Sequence, residues 1–241
     1  MSTKLLPPET DLHIHTVASG HAFSTINEIA LAAANRGLLA VGMTDHGPSL
    51  PGGPHAYHFA SLRFIPQEIH GVRILKGVEA NILAAGKLDL EARYLERLEL
   101  VIAGFHDGCG FRSGNIKHNT RVLCAAMDMP KIKIISHPGN PRFPVDHEVI
   151  VKHAANSGTA IEVNNSSFSI SRGGDSSNIE SIVHLCTKHP ALLAINSDAH
   201  ISQQVGEIEY ARRLVEEAGI PADRIINRTL ESTLAFLDLE A

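Results

Sequence analysis

Seven short apolar runs recur along the 241 residues, each followed by a polar cluster and then by a stretch with helical patterning. They cover residues 11–15, 38–46, 72–81, 100–106, 132–137, 160–165 and 192–200, and are rich in Val, Ile, Leu and Ala. Such runs read as strands buried on both faces. Helical patterning falls at 25–36, 59–70, 88–98, 119–127, 146–156, 177–189, 206–218 and 229–237. Ser24 and Asp146 are expected N-caps, with Gly37 and Gly158 just past two helix ends. Strands alternating with helices give a parallel sheet with right-handed crossovers. The periodicity fits either an open doubly wound sheet or a closed barrel. The length is that of one α/β barrel, typically about 250 residues, so a single domain over 1–241 is expected.

The polar residues choose between the two. His13 and His15 end the first run and His46 the second; Glu79 lies near the end of the third. His106 ends the fourth, His137 the fifth, and Asp198 with His200 the seventh. Parallel strands share one C-terminal edge, where barrels carry their active sites. An open sheet would gather ligands mainly at one switch point. Chemistry at the ends of six of the seven runs therefore favours a distorted seven-stranded (β/α) barrel. In a strand, i and i+2 share a face. Asp11, His13 and His15 are thus expected to point inward, with Leu12 and Ile14 outward; Asp198-Ala-His200 repeats the spacing.

Composition narrows the chemistry. Fifteen histidines stand against three scattered cysteines, Cys109, Cys124 and Cys186. That excludes a disulfide framework and fits a reducing cytoplasm. No apolar run approaches a membrane span and no signal core opens the chain. A net charge of −5 without a basic run argues against nucleic acid as a partner. Structural zinc sites favour cysteine in closed tetrahedra, whereas imidazole mixed with carboxylate fits catalysis. The donors outnumber the four a single zinc takes, so two or three metals are implied, with Glu79 a natural bridge. Paired metals of this kind serve phosphatases and nucleases. The sequence carries no Gly-x-x-x-x-Gly-Lys-Ser/Thr phosphate loop.

The chain resembles the PHP (polymerase and histidinol phosphatase) superfamily, and within it the YcdX-like trinuclear-zinc phosphatases. The matching stretches begin at Asp11 (DLHIHTVAS), His21 (HAFST), Thr44 (TDHGP), Gly77 (GVEAN), Ile102 (IAGFH), Ile135 (ISHPGNP), Glu162 (EVNNSSF) and Asn196 (NSDAH). The resemblance implies a distorted (β/α) barrel of seven strands with three metals. His13, His15, Glu79 and Asp198 would hold one; His21, His46 and His200 a second; Glu79, His106 and His137 a third. His21 lies in a loop and enters only through the resemblance. Zinc is the expected ion, with manganese and iron compatible. The implied enzyme hydrolyses small phosphate monoesters through a metal-activated hydroxide, with Asp198, Glu79 and His200 central to catalysis. Alternatives are a histidinol-phosphate phosphatase or single-strand exonuclease of the same superfamily, and a non-catalytic metal-binding module. Related proteins suggest a homo-oligomer.

Substrate contacts are expected from Arg142 and Arg172, in loops after the fifth and sixth strands, and from His55 and His58 in the Pro/Gly-rich stretch after the second. Asp45 is expected either to orient a histidine or to cap a turn. Asn140 and Asn165 read as turn residues or substrate amides, and Cys109 as a free thiol. His70, His118, His147, His153, His184 and His189 read as surface or helix residues.

Overall fold

The computed structural model describes residues 6–168 and 176–240. Each of the seven runs contains a strand: β1 (Thr10–Ile14), β2 (Ala40–Met43), β4 (Val72–Asn81), β5 (Leu100–Gly104), β6 (Ile134–Ile135), β7 (Ala160–Asn164) and β8 (Leu193–Asn196). These pair in parallel in the order β1-β2-β4-β5-β6-β7-β8. A two-residue strand, β3 (Glu68–Ile69), is antiparallel to the start of β4. Helices α1 (Ile26–Asn35), α2 (Tyr57–Ser61), α3 (Ala92–Leu95), α4 (Ile116–Met127), α5 (His147–Ser157), α6 (Ser177–Lys188), α7 (Glu209–Glu217) and α8 (Leu230–Phe236) follow the strands. The result is a nearly closed barrel of seven parallel strands surrounded by helices.

Alternation along each strand sorts the side chains. One buried cluster takes a residue or two from each of the seven strands: Leu12, Ala40, Leu75, Leu100, Ile102, Ile134, Ala160 and Ala194. Only the barrel interior collects such a set. Leu234 and Leu237, in and just after α8, join it and stopper the N-terminal end. The alternate residues, such as Val78, Ala80, Val101, Ile161 and Val163, pack outward against the helices.

The barrel closes through side chains. Where β1 faces β8 the only strand-like contact among the described residues is the bridge Ile14 to Ala199. The gap is filled by amides. Asn227 Nδ2 donates to Thr10 O (2.9 Å) and Ile195 O (2.7 Å), while its Oδ1 accepts from the Ile195 N–H at 3.0 Å. Asn196 Oδ1 accepts from the Leu12 N–H at 3.0 Å.

Three local expectations are corrected. The register shifts between Asp11 and Ile14, a bulge in β1. Leu12 therefore joins the interior, and Asp11 turns aside to accept from Ser197 and the Gly206 N–H. The cap of α1 is Thr25 rather than Ser24, because Ser24 Oγ instead receives the Ser202 N–H. The 59–70 helix stops early: Ile65 precedes Pro66 and is forced extended, with ψ 130°. Asp146 does cap α5, and Gly158 ends it with φ 77°.

Candidate metal centre

Inward-facing positions continue past the apolar layers, and there the side chains become polar. Glu79 follows Leu75 and Gly77 on β4; Glu162 and Asn164 follow Ala160 on β7; Asn196 follows Ala194 on β8. All four polar residues are fully buried. Just beyond the β1 bulge His13 and His15 point inward, also at 0% exposure. Gly104 is the inward residue ending β5: a Cβ there would strike Ser136 Oγ and come within 3.0 Å of the His137 ring. The glycine leaves room for the cluster.

All nine expected ligands converge on this mouth, in three groups. In the first, His13 Nε2 lies 3.1 Å from His15 Nε2, 3.2 Å from Glu79 Oε2 and 3.5 Å from Asp198 Oδ1. His15 Nε2 lies 3.5 Å from Glu79 Oε2 and 3.2 Å from Asp198 Oδ1. A tetrahedral zinc with ligands at about 2.0–2.1 Å needs donor–donor edges of about 3.3–3.4 Å. In the second group the other carboxylate oxygen, Glu79 Oε1, lies 3.1 Å from His106 Nε2 and 2.8 Å from His137 Nε2, which are 3.3 Å apart. The third group is more open. His21 Nε2 lies 3.0 Å from His200 Nε2, and donor atoms of His15, His46 and His200 lie within 4.8 Å of one another. The His46 ring stacks between those of His15 and His21, and its Nδ1 faces Glu79 Oε2 at 3.0 Å.

Four histidines have their tautomer fixed from behind. His13 Nδ1 donates to Glu162 Oε1 at 2.7 Å. His21 Nδ1 donates to Ser19 O at 3.0 Å and His200 Nδ1 to Asp198 O at 2.9 Å. His15 Nδ1 donates to Ser19 Oγ at 3.2 Å, because that hydroxyl gives its own proton to Asp45 Oδ1 at 2.7 Å. In each ring Nε2 is left to face the cluster. Orienting acceptors of this kind stand behind metal-bound imidazoles. Asp45 thus orients His15 through Ser19, and it also accepts from Thr16 N and Oγ1. Burial alone would raise its pKa, but these donors and His58 hold it down to about 2.

The charges are arranged for a cation. Burial opposes the Glu79 carboxylate, yet His106, His13, His46 and His137 hold its pKa well below the usual range. Burial opposes charge on His13 too, and there Glu162, Glu79 and Asp198 win, holding its pKa well above ordinary imidazole. A spot that keeps a proton this firmly favours positive charge. Burial pushes His15, His21 and His46 down, so they stay neutral. The ionised Glu79 and the neutral His15, His21 and His46 are in the states a metal requires, and on His13 a metal would take the place of the proton that the surrounding carboxylates hold there. Glu79 Oε2 and His46 Nδ1 are buried and make no hydrogen bond. His137 and Asp198 adopt left-handed backbone, φ 32° and 57°. Strained non-glycine residues gather at ligand clamps. The donor set fits divalent ions of the zinc class.

The expected substrate contacts fare differently. Arg142 is exposed at the lip and ion-paired with Asp107, the neighbour of His106. His58 turns inward, with Nε2 3.2 Å from Asp45 Oδ2. His55 is exposed, and its Nδ1 accepts from the Tyr57 N–H of the following helix at 3.1 Å. Arg172 lies outside the described residues. Asn140 holds a chain turn, accepting from the Arg142 N–H, whereas Asn165 ties the end of β7 to α7, accepting from the Ala211 N–H 46 residues on. Cys109 is a buried free thiol whose pKa burial raises to about 12. Of the remaining histidines, His147 pairs with Ser181, His153 with Asp128, and His118 stacks on Phe111. Glu162 and Ser19 are the two orienting residues that strand-end counting missed. The signal for Glu162 was available: in Ala-Ile-Glu-Val-Asn it alternates with Ile161 and Val163, which places it inward.

A barrel of seven parallel strands with a mouth of histidines and carboxylates defines a known class, and the chain belongs to it. Residues 11–217 match the model of the PHP domain family. A probable phosphatase of Syntrophotalea carbinolica is 50% identical over 237 residues, covering 98% of this chain and 99% of the relative. A second probable phosphatase, from Caldanaerobacter subterraneus subsp. tengcongensis, is 44% identical over 228 residues, 94% of this chain and 90% of the relative. Among solved structures, a histidinol phosphate phosphatase of Lactococcus lactis, complexed with zinc, L-histidinol and phosphate, superposes with a TM-score of 0.60 at 14% identity, over 88% of this chain and 94% of that one. At that identity the likeness speaks for the fold.

Proposed function

We propose that this protein is a metal-dependent phosphatase that hydrolyses small phosphate monoesters at a centre of three divalent cations. The observation that carries the reading is the division of Glu79. Its Oε2 faces His13 and His15, near Asp198, while its Oε1 sits between His106 and His137. One carboxylate is thereby shared between two donor groups. His13, His15, Glu79 and Asp198 would hold one ion, Glu79, His106 and His137 another, and His21, His46 and His200 a third. When bound, such ions lower the pKa of water and offset the charge of a transferring phosphoryl group.

The chain's own residues define access. His21 is exposed and His200 partly so, which leaves the His21–His46–His200 group nearest solvent, while His106 is only slightly exposed and the His13–His15 group closes the floor. Arg142 is held at the lip beside the His106 loop, where a guanidinium can meet phosphate oxygens bidentately. The names of the two probable phosphatases, similar over nearly their full length, support the reading. The test is hydrolysis of p-nitrophenyl phosphate by metal-stripped protein, reloaded in parallel with zinc, manganese or iron. Turnover should vanish on stripping and return with at least zinc. Folded, zinc-loaded protein with no turnover on a broad panel of monoesters would overturn the proposal.

A further inference from the structure

We propose that Glu162 is a positioning residue of the metal centre: it fixes the ring of His13 with Nε2 inward and clamps the backbone of His137. The inference rests on the metal reading above. Glu162 sits on β7, separated from the His13 strand by β8 alone, at 0% exposure. Its four hydrogen bonds occupy both oxygens. Oε1 accepts from His13 Nδ1 at 2.7 Å and from Asn196 Nδ2 at 2.9 Å. Oε2 accepts from the His137 N–H at 2.8 Å and from Asn164 Nδ2 at 3.0 Å. Asn164 Nδ2 also lies 3.0 Å from Asp198 Oδ2. One carboxylate therefore touches the supports of three candidate ligands on three other strands or their loops.

Every partner of Glu162 is a donor, so the position demands four acceptor sites. A glutamine has the same shape but turns one oxygen into an NH2. That group would face donors on either side, and it settles toward His13, because an imidazole can shift its proton and the His137 backbone N–H cannot. The His13 ring can relieve the conflict only by moving its proton to Nε2, the atom that faces His15, Glu79 and Asp198. A protonated Nε2 cannot ligate a metal. The opposite orientation would free the His137 N–H, at a residue already in left-handed backbone. A burial role alone would predict something else: lost stability without a change of tautomer.

Zinc titration of the metal-free full-length protein, with a competing chelator, tests this on wild type, Glu162→Gln, His13→Ala and the double variant. Glu162→Gln should weaken at least one zinc site by roughly 10–100-fold, as loss of a carboxylate behind a ligating histidine does. In the His13→Ala background the same change should have a markedly smaller effect, because the losses pass through one ring. Long-range 15N–1H spectra of the zinc-loaded protein should show His13 protonated at Nδ1 in wild type but not in Glu162→Gln. Unchanged affinity in folded Glu162→Gln, or losses that simply add, would overturn the proposal. Wild-type protein that binds no zinc would overturn the metal reading and this one with it. If Glu162→Gln does not fold, Glu162→Asp, which keeps both acceptor oxygens but withdraws them by one methylene, takes its place in the zinc titration: weakened binding supports the proposal and unchanged affinity overturns it.

Discussion

The two halves of the interior belong to one barrel, with the same alternation except at the β1 bulge, yet they do opposite things. The N-terminal half, from Leu12, Leu75, Leu100, Ile102 and Ile134 to the stopper of Leu234 and Leu237, is apolar and closed. The half above it, with His13, His15, Glu79, Glu162, Asn164 and Asn196, is as thoroughly buried and wholly polar. Burial is thus not what separates core from site. The lower half gains from removing apolar surface from water. The upper half carries ionised groups out of water, which is costly unless they are paired. Its carboxylates and imidazoles are drawn together because each needs the others, and the lower half supplies the stability that tolerates them.

The largest effect should come from crossing that boundary by charge. Glu79→Gln removes the carboxylate shared by two donor groups. Turnover should fall beyond the roughly 100-fold that marks the upper end of orienting changes, and bound zinc should drop by one or two equivalents. Metal analysis beside the p-nitrophenyl phosphate assay checks both; full activity would dissolve the distinction between the halves.

Leu100→Ala acts on the other half. Leu100 is fully buried, and Gly42 leaves room for it: a Cβ there would come within 2.7 Å of Leu100 Cδ2. Truncation should cost about 2–5 kcal/mol in denaturant unfolding. Turnover per folded molecule should stay near wild type. A proportional loss of both would mean that the halves are mechanically coupled.

The seam is a third case, polar but outside the three donor groups. Asn227→Ala leaves the Ile195 N–H and the Thr10 and Ile195 carbonyls without their partner. A loss of about 1–3 kcal/mol is expected from such orphaned buried groups. Zinc affinity should hold. If zinc affinity falls instead, the β1–β8 seam positions His13 and His15.

The sequence exposed most of this because the strand ends carry their chemistry in short motifs. Asp198-Ala-His200 and His13-Ile-His15 announce the mouth, and the alternating runs announce the strands around it. The seam was not legible: its closure depends on Asn227, a residue of a loop with no strand pattern, reaching back some 217 positions to Thr10. The bulge in β1 was hidden for a related reason. Asp11, His13 and His15 alternate perfectly, and only the pairing with β2 shows that Asp11 faces elsewhere. Arg142 was placed at the right rim, but its Asp107 partner comes from a different loop, a contact that no local pattern encodes.

The smallest expected effect lies outside both halves and sets the baseline. Glu28 closes the capping box of α1, accepting from Thr25 N at 2.7 Å and Thr25 Oγ1 at 2.9 Å. Those donors hold its pKa below the usual carboxylate range. A depressed folded pKa adds stability that is complete above the unfolded value and is lost as pH falls through the folded one. Glu28→Ala should therefore lower the melting temperature slightly at neutral pH, and the gap to wild type should shrink in acid. The melts belong in metal-free protein, so that acid release of cations adds nothing. A gap that persists below the carboxylate range would assign the loss to the alanine backbone or to packing. A gap comparable to that of Leu100→Ala would show that the α1 cap carries as much of the fold as an interior leucine, and the contrast between the two buried halves would then need the outer helices as a third part.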